Sequence, residues 1–176
     1  MISITEMKLE DSYRIRDIDR SETIEMIYEC LDGKLLERSL PHECPNWDEA
    51  HYREIIERYE YELRNGGTAF GAYDGETLVG FGVLAHKFRG NDNNQLQLDL
   101  MYVSRKYRRQ GIGSRIFHEL SQVAVEKGAS QLYISSTETE SAVKFYSSLG
   151  SSVTSEVDEE LFRKEPHDIH MTKSLL

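Results

Sequence analysis

The sequence predicts an α+β fold, a mixed and mostly antiparallel central sheet flanked by helices. Three observations carry that prediction. Short alternating apolar runs fill much of the chain, and two pairs of them are joined by Asp-Gly (Asp32-Gly33 and Asp74-Gly75), a strong hairpin signal. Helical spacing of apolar residues is confined to separate segments between those runs. Late in the chain a strand, a helix and a strand follow one another, adding a crossover to an otherwise antiparallel order. The 176 residues suffice for one domain with its own core, and no stretch reads as a linker, repeat or low-complexity tract.

Taken in order, Ile2–Lys8 alternates as an edge strand, and Asp11–Asp19 is a short helix with Ile15 and Ile18 inward. Ile24–Leu31 and Lys34–Leu40 make the first hairpin; a helix over Ser21–Leu31 is the competing reading. Pro41–Pro45 reads as a loop. Asn46, with Glu49 three residues on, has the form of a capping box and starts a helix to about Asn65. Its inward stripe is Tyr52, Ile55, Ile56, Tyr59 and Leu63, and Gly66-Gly67 ends it. Thr68–Tyr73 and Thr77–His86 form the second hairpin, followed by a polar loop, Arg89–Asn94. Gln95–Val103 is the central strand. Simple alternation puts Leu96, Leu98, Leu100 and Tyr102 on one face and Gln97, Asp99, Met101 and Val103 on the other. A helix then runs to Lys127, closed by Gly128. Gln131–Ser135 is a strand and Ser141–Leu149 a helix stopped by Gly150. Val153–Val157 and Ile169–Ser174 close the sheet around a charged turn, Asp158–Asp168.

The junction between central strand and helix carries the chemistry. Gly111-Ile112-Gly113-Ser114 opens the helix, where unpaired backbone N–H groups meet the positive end of the helix dipole. Glycine there permits positive φ and lets phosphate oxygens approach the backbone. The charge pattern agrees. The chain holds 21 Lys and Arg against 31 Asp and Glu, a net of −10. Yet Arg105, Lys106, Arg108, Arg109 and Arg115 fall within eleven residues that contain no carboxylate. A cationic island in an acidic chain suits a multiply phosphorylated ligand; an ordinary solvated turn is the plainer alternative.

Two motifs sharpen this. Arg108-Arg109-Gln110-Gly111-Ile112-Gly113 fits Arg/Gln-x-x-Gly-x-Gly/Ala, and Ala142-Val143-Lys144-Phe145-Tyr146-Ser147-Ser148-Leu149-Gly150 fits Ala-x-x-Phe-Tyr-x-x-Leu-Gly. In that order, with a helix and a strand between them, they resemble the signatures of the GNAT superfamily of N-acetyltransferases over roughly Thr68–Gly150. The resemblance implies a GNAT-like sheet whose central strand parts from its parallel neighbour after Gln131. The slot between the splayed strands would take the pantetheine arm of acetyl-CoA. Backbone groups at Met101 and Val103, with Tyr102 between them, would bond the thioester and pantetheine. The amides of Arg109, Gln110, Gly111, Ile112, Gly113 and Ser114 would hold the pyrophosphate, with Arg108 adding charge. Thr139, where the family often has Asn, would touch the coenzyme. Tyr146 would meet the sulfur of the leaving thiolate as a hydrogen-bond donor; packing beside Phe145 is its alternative role. Residues 1–65 would then be the acceptor-side variable region, 68–150 the acetyl-CoA-binding core and 151–176 the closing strands.

An attacking amine must be neutral, and a lysine-like amine costs about 4–5 kcal/mol to deprotonate at pH 7. By the same resemblance, a base belongs at positions matching Gln97 and Asp99. Gln97 takes no proton, so Asp99 is the expected base, with simple hydrogen bonding as the alternative. Residues 1–65 hold 17 acidic and 9 basic side chains, Glu22, Glu25, Glu29, Glu43, Asp48 and Glu49 among them, and Asp158, Glu159 and Glu160 add a late cluster. Such a wall favours a cationic acceptor, a polyamine or an aminoglycoside-like antibiotic, unless the acidity serves only solubility. The sequence therefore points to an acetyl-CoA-dependent N-acetyltransferase of a small-molecule amine, with no metal. A protein N-terminus or lysine is the alternative acceptor, and an acyl-CoA-binding sensor without turnover is the alternative class.

Other classes fit less well. His42, Cys44 and His51 match no zinc spacing. Two cysteines without a CxxC pair, no signal-length apolar run at Met1–Glu10 and no apolar run near 20 residues together predict a cytoplasmic protein off the membrane. A net charge of −10 with one short basic loop predicts no nucleic-acid binding. A homodimer is compatible with the sequence.

Overall fold

In the computed structural model, which describes residues 1–176, the chain begins with β1 (Ile2–Met7), a 3-10 helix (Leu9–Asp17), β2 (Glu22–Leu31), β3 (Lys34–Cys44) and α1 (Glu49–Arg64). β4 (Thr68–Asp74), β5 (Thr77–Arg89) and β6 (Gln95–Val103) follow, then α2 (Ile112–Glu126), β7 (Gln131–Ser136) and α3 (Glu140–Ser148). β8 (Ser152–Val153), α4 (Glu159–Lys164) and β9 (Ile169–Ser174) complete it. One seven-stranded sheet has the order β1-β4-β5-β6-β7-β9-β8, and β2 with β3 forms a separate ribbon. Every pairing is antiparallel except β6 with β7. No helix is long and apolar enough to cross a membrane.

Both faces of the sheet are covered. α2 and α3 bury Ile112, Ile116, Leu120 and Val143 against Leu84, Leu96, Leu98, Leu132 and Ile134. On the other face α1, the 3-10 helix and Trp47 bury Ile15, Ile55 and Tyr59 against Phe81, Val83 and Leu100. Each such side chain stabilises the fold by about 1.5–3 kcal/mol, so the central strands are fixed from two sides. That rigidity matters because the site is built on them.

Four local expectations change. β3 runs through Pro41 to Cys44 rather than ending at Leu40. Ile24 pairs with His42 but Met26 with Ser39, so one extra residue bulges beside Pro41, where a missing N–H costs the ribbon nothing. The cap of α1 is Asp48, whose carboxylate accepts from the His51 N–H at 2.8 Å. Asn46 instead accepts from the Arg20 N–H and donates to the Tyr52 hydroxyl, each at 2.9 Å. The segment Leu9–Asp17 winds as a 3-10 helix, with Asp11 accepting from the Lys8 N–H at 2.8 Å. In the charged turn, the strand after Gly150 spans only Ser152–Val153, and α4 forms behind an Asp158 cap that accepts from the Leu161 N–H at 3.0 Å.

A buried relay ties this last segment to the sheet. The His170 Nε2 faces the Glu165 carbonyl at 3.2 Å and therefore carries the proton, so Nδ1 accepts from the Tyr133 hydroxyl at 2.8 Å. The Tyr133 oxygen accepts in turn from the Asp158 N–H at 2.9 Å. Tyr133→Phe leaves both of those groups without a partner. At ~1–3 kcal/mol for each buried orphan, we expect a loss of about 2–4 kcal/mol in chemical denaturation; an unchanged midpoint would show that the relay carries no stability.

Candidate active site

β6 changes face halfway along. Leu98 pairs with Leu84 and Leu100 with Val83, so Asp99 is one residue more than β5 can match and forms a bulge. Before it, Leu96 and Leu98 join the core under α2 and α3; after it, Leu100 joins the core under α1. Met101 faces α2, since a β-carbon on its neighbour Gly82 would meet Met101 together with Leu120 and Ile116. Strict alternation along β6 is thus corrected. Leu96 and Leu98 do not share a face with Leu100 and Tyr102, because one inserted residue shifts the period of two.

The bulge also opens the sheet. β6 and β7 pair from Gln95–Gln131 to Leu98–Ile134 and no further, whereas Ser135 and Ser136 continue with β9 alone. The parallel strands therefore part after Ile134, three residues later than the resemblance implied. Past the last β6–β7 pair, Met101 and Val103 of β6 line a cavity of about 890 Å³, a size suited to a small organic ligand.

Ten of the twelve expected coenzyme residues line that cavity: Met101, Val103, Arg108, Arg109, Gly111, Ile112, Gly113, Ser114, Thr139 and Tyr146. Two do not. The Tyr102 side chain turns to the opposite face, edge-on to Trp47 at 4.7 Å, because it follows the bulge. Gln110 folds back to donate to the Lys106 carbonyl at 3.4 Å.

Gly111 adopts φ +78°, and Arg109, unusually for a residue with a side chain, φ +63°. The ladder of α2 starts with Arg115 N–H to the Gly111 carbonyl at 3.1 Å, so the amides of Ile112, Gly113 and Ser114 precede it and form the open helix start. Arg108 works from beneath: its guanidinium donates to the carbonyls of Val103 and Ser21, both at 2.9 Å, and burial lowers its pKa. It thereby ties the end of β6 to the segment before β2. Arg105 also lines the cavity, and there it is ion-paired with Glu43 at 2.8 Å.

β2 forms the remaining wall, through Glu22, Thr23, Ile24, Glu25 and Met26. It is fastened to the start of α3 by three contacts. The Ser141 hydroxyl donates to Glu22, the Tyr28 N–H donates to the Glu138 carbonyl at 2.7 Å, and Ile27 bridges Thr139. Thr139 itself caps α3, accepting from the Ala142 N–H at 3.4 Å. Much of the acidic surface of residues 1–65 proves locally engaged: Glu43 holds Arg105, Glu49 holds Arg16 and Asp48 caps α1. The late cluster is likewise tied down, with Arg89 between Asp158 at 3.0 Å and Glu160 at 3.1 Å.

Asp99 lies outside the cavity lining, on the α1 side of the bulge. Its carboxylate meets the Arg58 guanidinium at 2.7 Å with 12 % of the side chain exposed. Tyr146 is 9 % exposed, and burial pushes its phenol above the usual range, so it remains a protonated donor at any working pH. At the fork itself, the Ser135 hydroxyl donates to Asp168 Oδ2 at 2.8 Å.

A family model described as the acetyltransferase (GNAT) family matches residues 32–150, about two thirds of the chain. The chain belongs to the GNAT family. This GNAT protein is 32% identical over 92 residues to a thialysine N-epsilon-acetyltransferase of Bos taurus, an alignment spanning 52% of this chain and 54% of that one. The chain thus spans about half the length of the curated relatives it matches. Its fold superposes on nourseothricin acetyltransferase with a TM-score of 0.74 at 18% identity, over 99% of both chains. A protein assigned as a streptothricin acetyltransferase of Bacillus anthracis, solved with acetyl coenzyme A, gives 0.73 at 18% identity over 99% and 98%. These likenesses establish a GNAT fold: a mixed sheet flanked by helices, splayed between its two parallel strands.

The sequence missed three features of this GNAT site. The roof made by β2 and the Arg58–Asp99 pair join residues far apart in the chain, which no local pattern marks. Asp168 read as one carboxylate in a charged turn.

Proposed function

We propose that this protein transfers the acetyl group of acetyl-CoA to the primary amine of a small cationic molecule. One observation carries the reading: Met101 and Val103, on β6 past its last pair with β7, line a single cavity together with the helix start Ile112–Ser114 and Tyr146. The helix start suits a pyrophosphate, and the fork suits an extended amide-bearing arm that pairs with strand backbone, as the pantetheine arm would. Tyr146 is a buried donor suited to the negative charge that develops on a departing sulfur. Holding both reactants in register supplies much of the remaining rate.

The amine class rests on the relatives and on charge. The curated relatives are named for acetylating thialysine, and two structural neighbours are named for nourseothricin and streptothricin. Around the fork, Asp168, Glu138 and Glu165 lie near enough that their charges act on one another, which favours a cationic partner. The test is thiol release from acetyl-CoA with a panel of polyamines, lysine analogues, streptothricin-type antibiotics and basic peptides. Release with small amines, above any peptide, is the expected result. Tight CoA binding without release from any of them would favour a sensor instead.

A further inference from the structure

We propose that Asp168, held by Ser135 at the point where β6 and β7 part, is the group that takes the proton from the acceptor amine. This rests on the acetyltransferase reading of the same site.

Ser135 is the first β7 residue beyond the last β6–β7 pair, and Asp168 immediately precedes β9, the strand that pairs with β7. Their hydrogen bond therefore fixes a carboxylate at the mouth of the fork. Ser135 engages Oδ2 alone, leaving Oδ1 to accept from a substrate. The negative charge of Asp168 is felt by the hydroxyls of both Tyr146, inside the cavity, and Tyr102, on the opposite face. Asp168 and Ser135 do not themselves line the cavity, but they sit where β7 leaves β6, and the charge of Asp168 reaches Tyr146, which does line it.

Asp99 is less suited. Taking a proton there would break a charge-assisted bond to the Arg58 guanidinium at 2.7 Å, formed by a carboxylate only 12 % exposed. Its fitting role is to hold Arg58 at the bulge, where Arg58 Nη2 donates to the Asp99 carboxylate and carbonyl.

The surroundings of Asp168 tune it for proton transfer. Burial pushes its carboxyl up to about 7; the Ser135 hydrogen bond opposes this, Glu165 and Glu138 add to it, and Arg58 on α1 opposes it. Its charge also acts on the phenols of Tyr102 on β6 and Tyr146 on α3, and both stay neutral because burial raises them. A base that titrates near neutrality is ionised often enough to bind an ammonium and basic enough to deprotonate it.

The Asp168 carboxylate takes one proton from the ammonium, directly or through one water, and later returns it to solvent. The freed nitrogen lone pair forms the C–N bond to the acetyl carbonyl carbon. The C–S bond breaks with its electron pair on sulfur, assisted by the Tyr146 hydrogen bond. The second amine proton ends on that thiolate, giving the amide and free CoA thiol.

The experiment is a pH profile of kcat/KM for the best amine at saturating acetyl-CoA, paired with carboxyl carbon-13 NMR of the unliganded protein. Wild type should show an acid limb with a midpoint near neutrality, and one carboxyl signal titrating there. Asp168→Asn should remove the limb and the signal, lower the neutral-pH rate roughly 10²-fold, and leave CoA affinity from calorimetry unchanged. Ser135→Ala, which keeps the carboxyl and frees it from its donor, should move the limb to higher pH with little loss on the plateau. Asp99→Asn should retain the limb. An unaltered limb in Asp168→Asn, or a limb lost only in Asp99→Asn, would overturn the assignment. A wild type that acetylates no amine would instead overturn the acetyltransferase reading itself.

Discussion

Tyr146→Phe should lower turnover roughly 10²–10³-fold while CoA binds as before, the scale of losing one donor to a developing negative charge. The ring has reason to stay in place. Phe145 lies edge-on at 5.1 Å and Phe117 tilted at 6.3 Å, and both contacts depend on the aromatic body rather than the hydroxyl. Because burial raises the phenol, wild type keeps its donor across the working range, so the variant's pH profile should run parallel to wild type. That shape separates it from Asp168→Asn, which should flatten the acid limb. Stopped-flow or single-turnover rates provide the measurement, since product release would hide a loss in chemistry. A variant with wild-type single-turnover rate would reduce Tyr146 to a packing residue.

The parts of this site that sequence revealed are those with local physical causes. A glycine pair at a helix start leaves a fixed spacing, and Gly111, Gly113, Tyr146 and Thr139 all meet at one cavity. Hairpin turns are similarly local: Asp32 and Gly33 both take positive φ, as the Asp-Gly signal requires. The bulge at Asp99 left no trace for a different reason. Bulges betray themselves by moving an apolar residue to a solvated face, but β6 is covered on both. Leu96, Leu98, Leu100 and Tyr102 therefore read as one unbroken stripe, although the first two and last two point to opposite cores.

Asp168 was hidden by long-range assembly. In the sequence it ends a run of charges, and nothing nearby in the chain predicts Ser135, 33 residues earlier, as its donor. α4 was more accessible. Asp158 with Glu159 and Glu160 in the first turn, then Arg163 and Lys164 in the last, is a dipole-matched helix that a reading of the segment as mere turn passes over.

Gly111→Val should weaken CoA binding by at least roughly 10²-fold, about 2.7 kcal/mol, with a folded protein remaining. Two effects act together. At φ +78° a branched residue is strained, and relaxing that strain turns the helix-start amides away from their common point. A β-carbon there meets no protein atom within 4 Å, so the new side chain stands in the open space that a phosphate would need. Gly128→Val separates these from a general loss of stability. It has φ +97° and equally open surroundings, but lies beyond the other end of α2, so it should cost stability and leave CoA affinity intact. Gly113→Ala offers an intermediate case. Its β-carbon would sit 3.0 Å from the Phe145 ring, which flanks Tyr146, so turnover should suffer along with binding. Calorimetric titration with CoA, run beside thermal melts of all three variants, decides the matter. If Gly111→Val binds CoA like wild type, or if Gly128→Val loses as much affinity, the start of α2 is not the phosphate site.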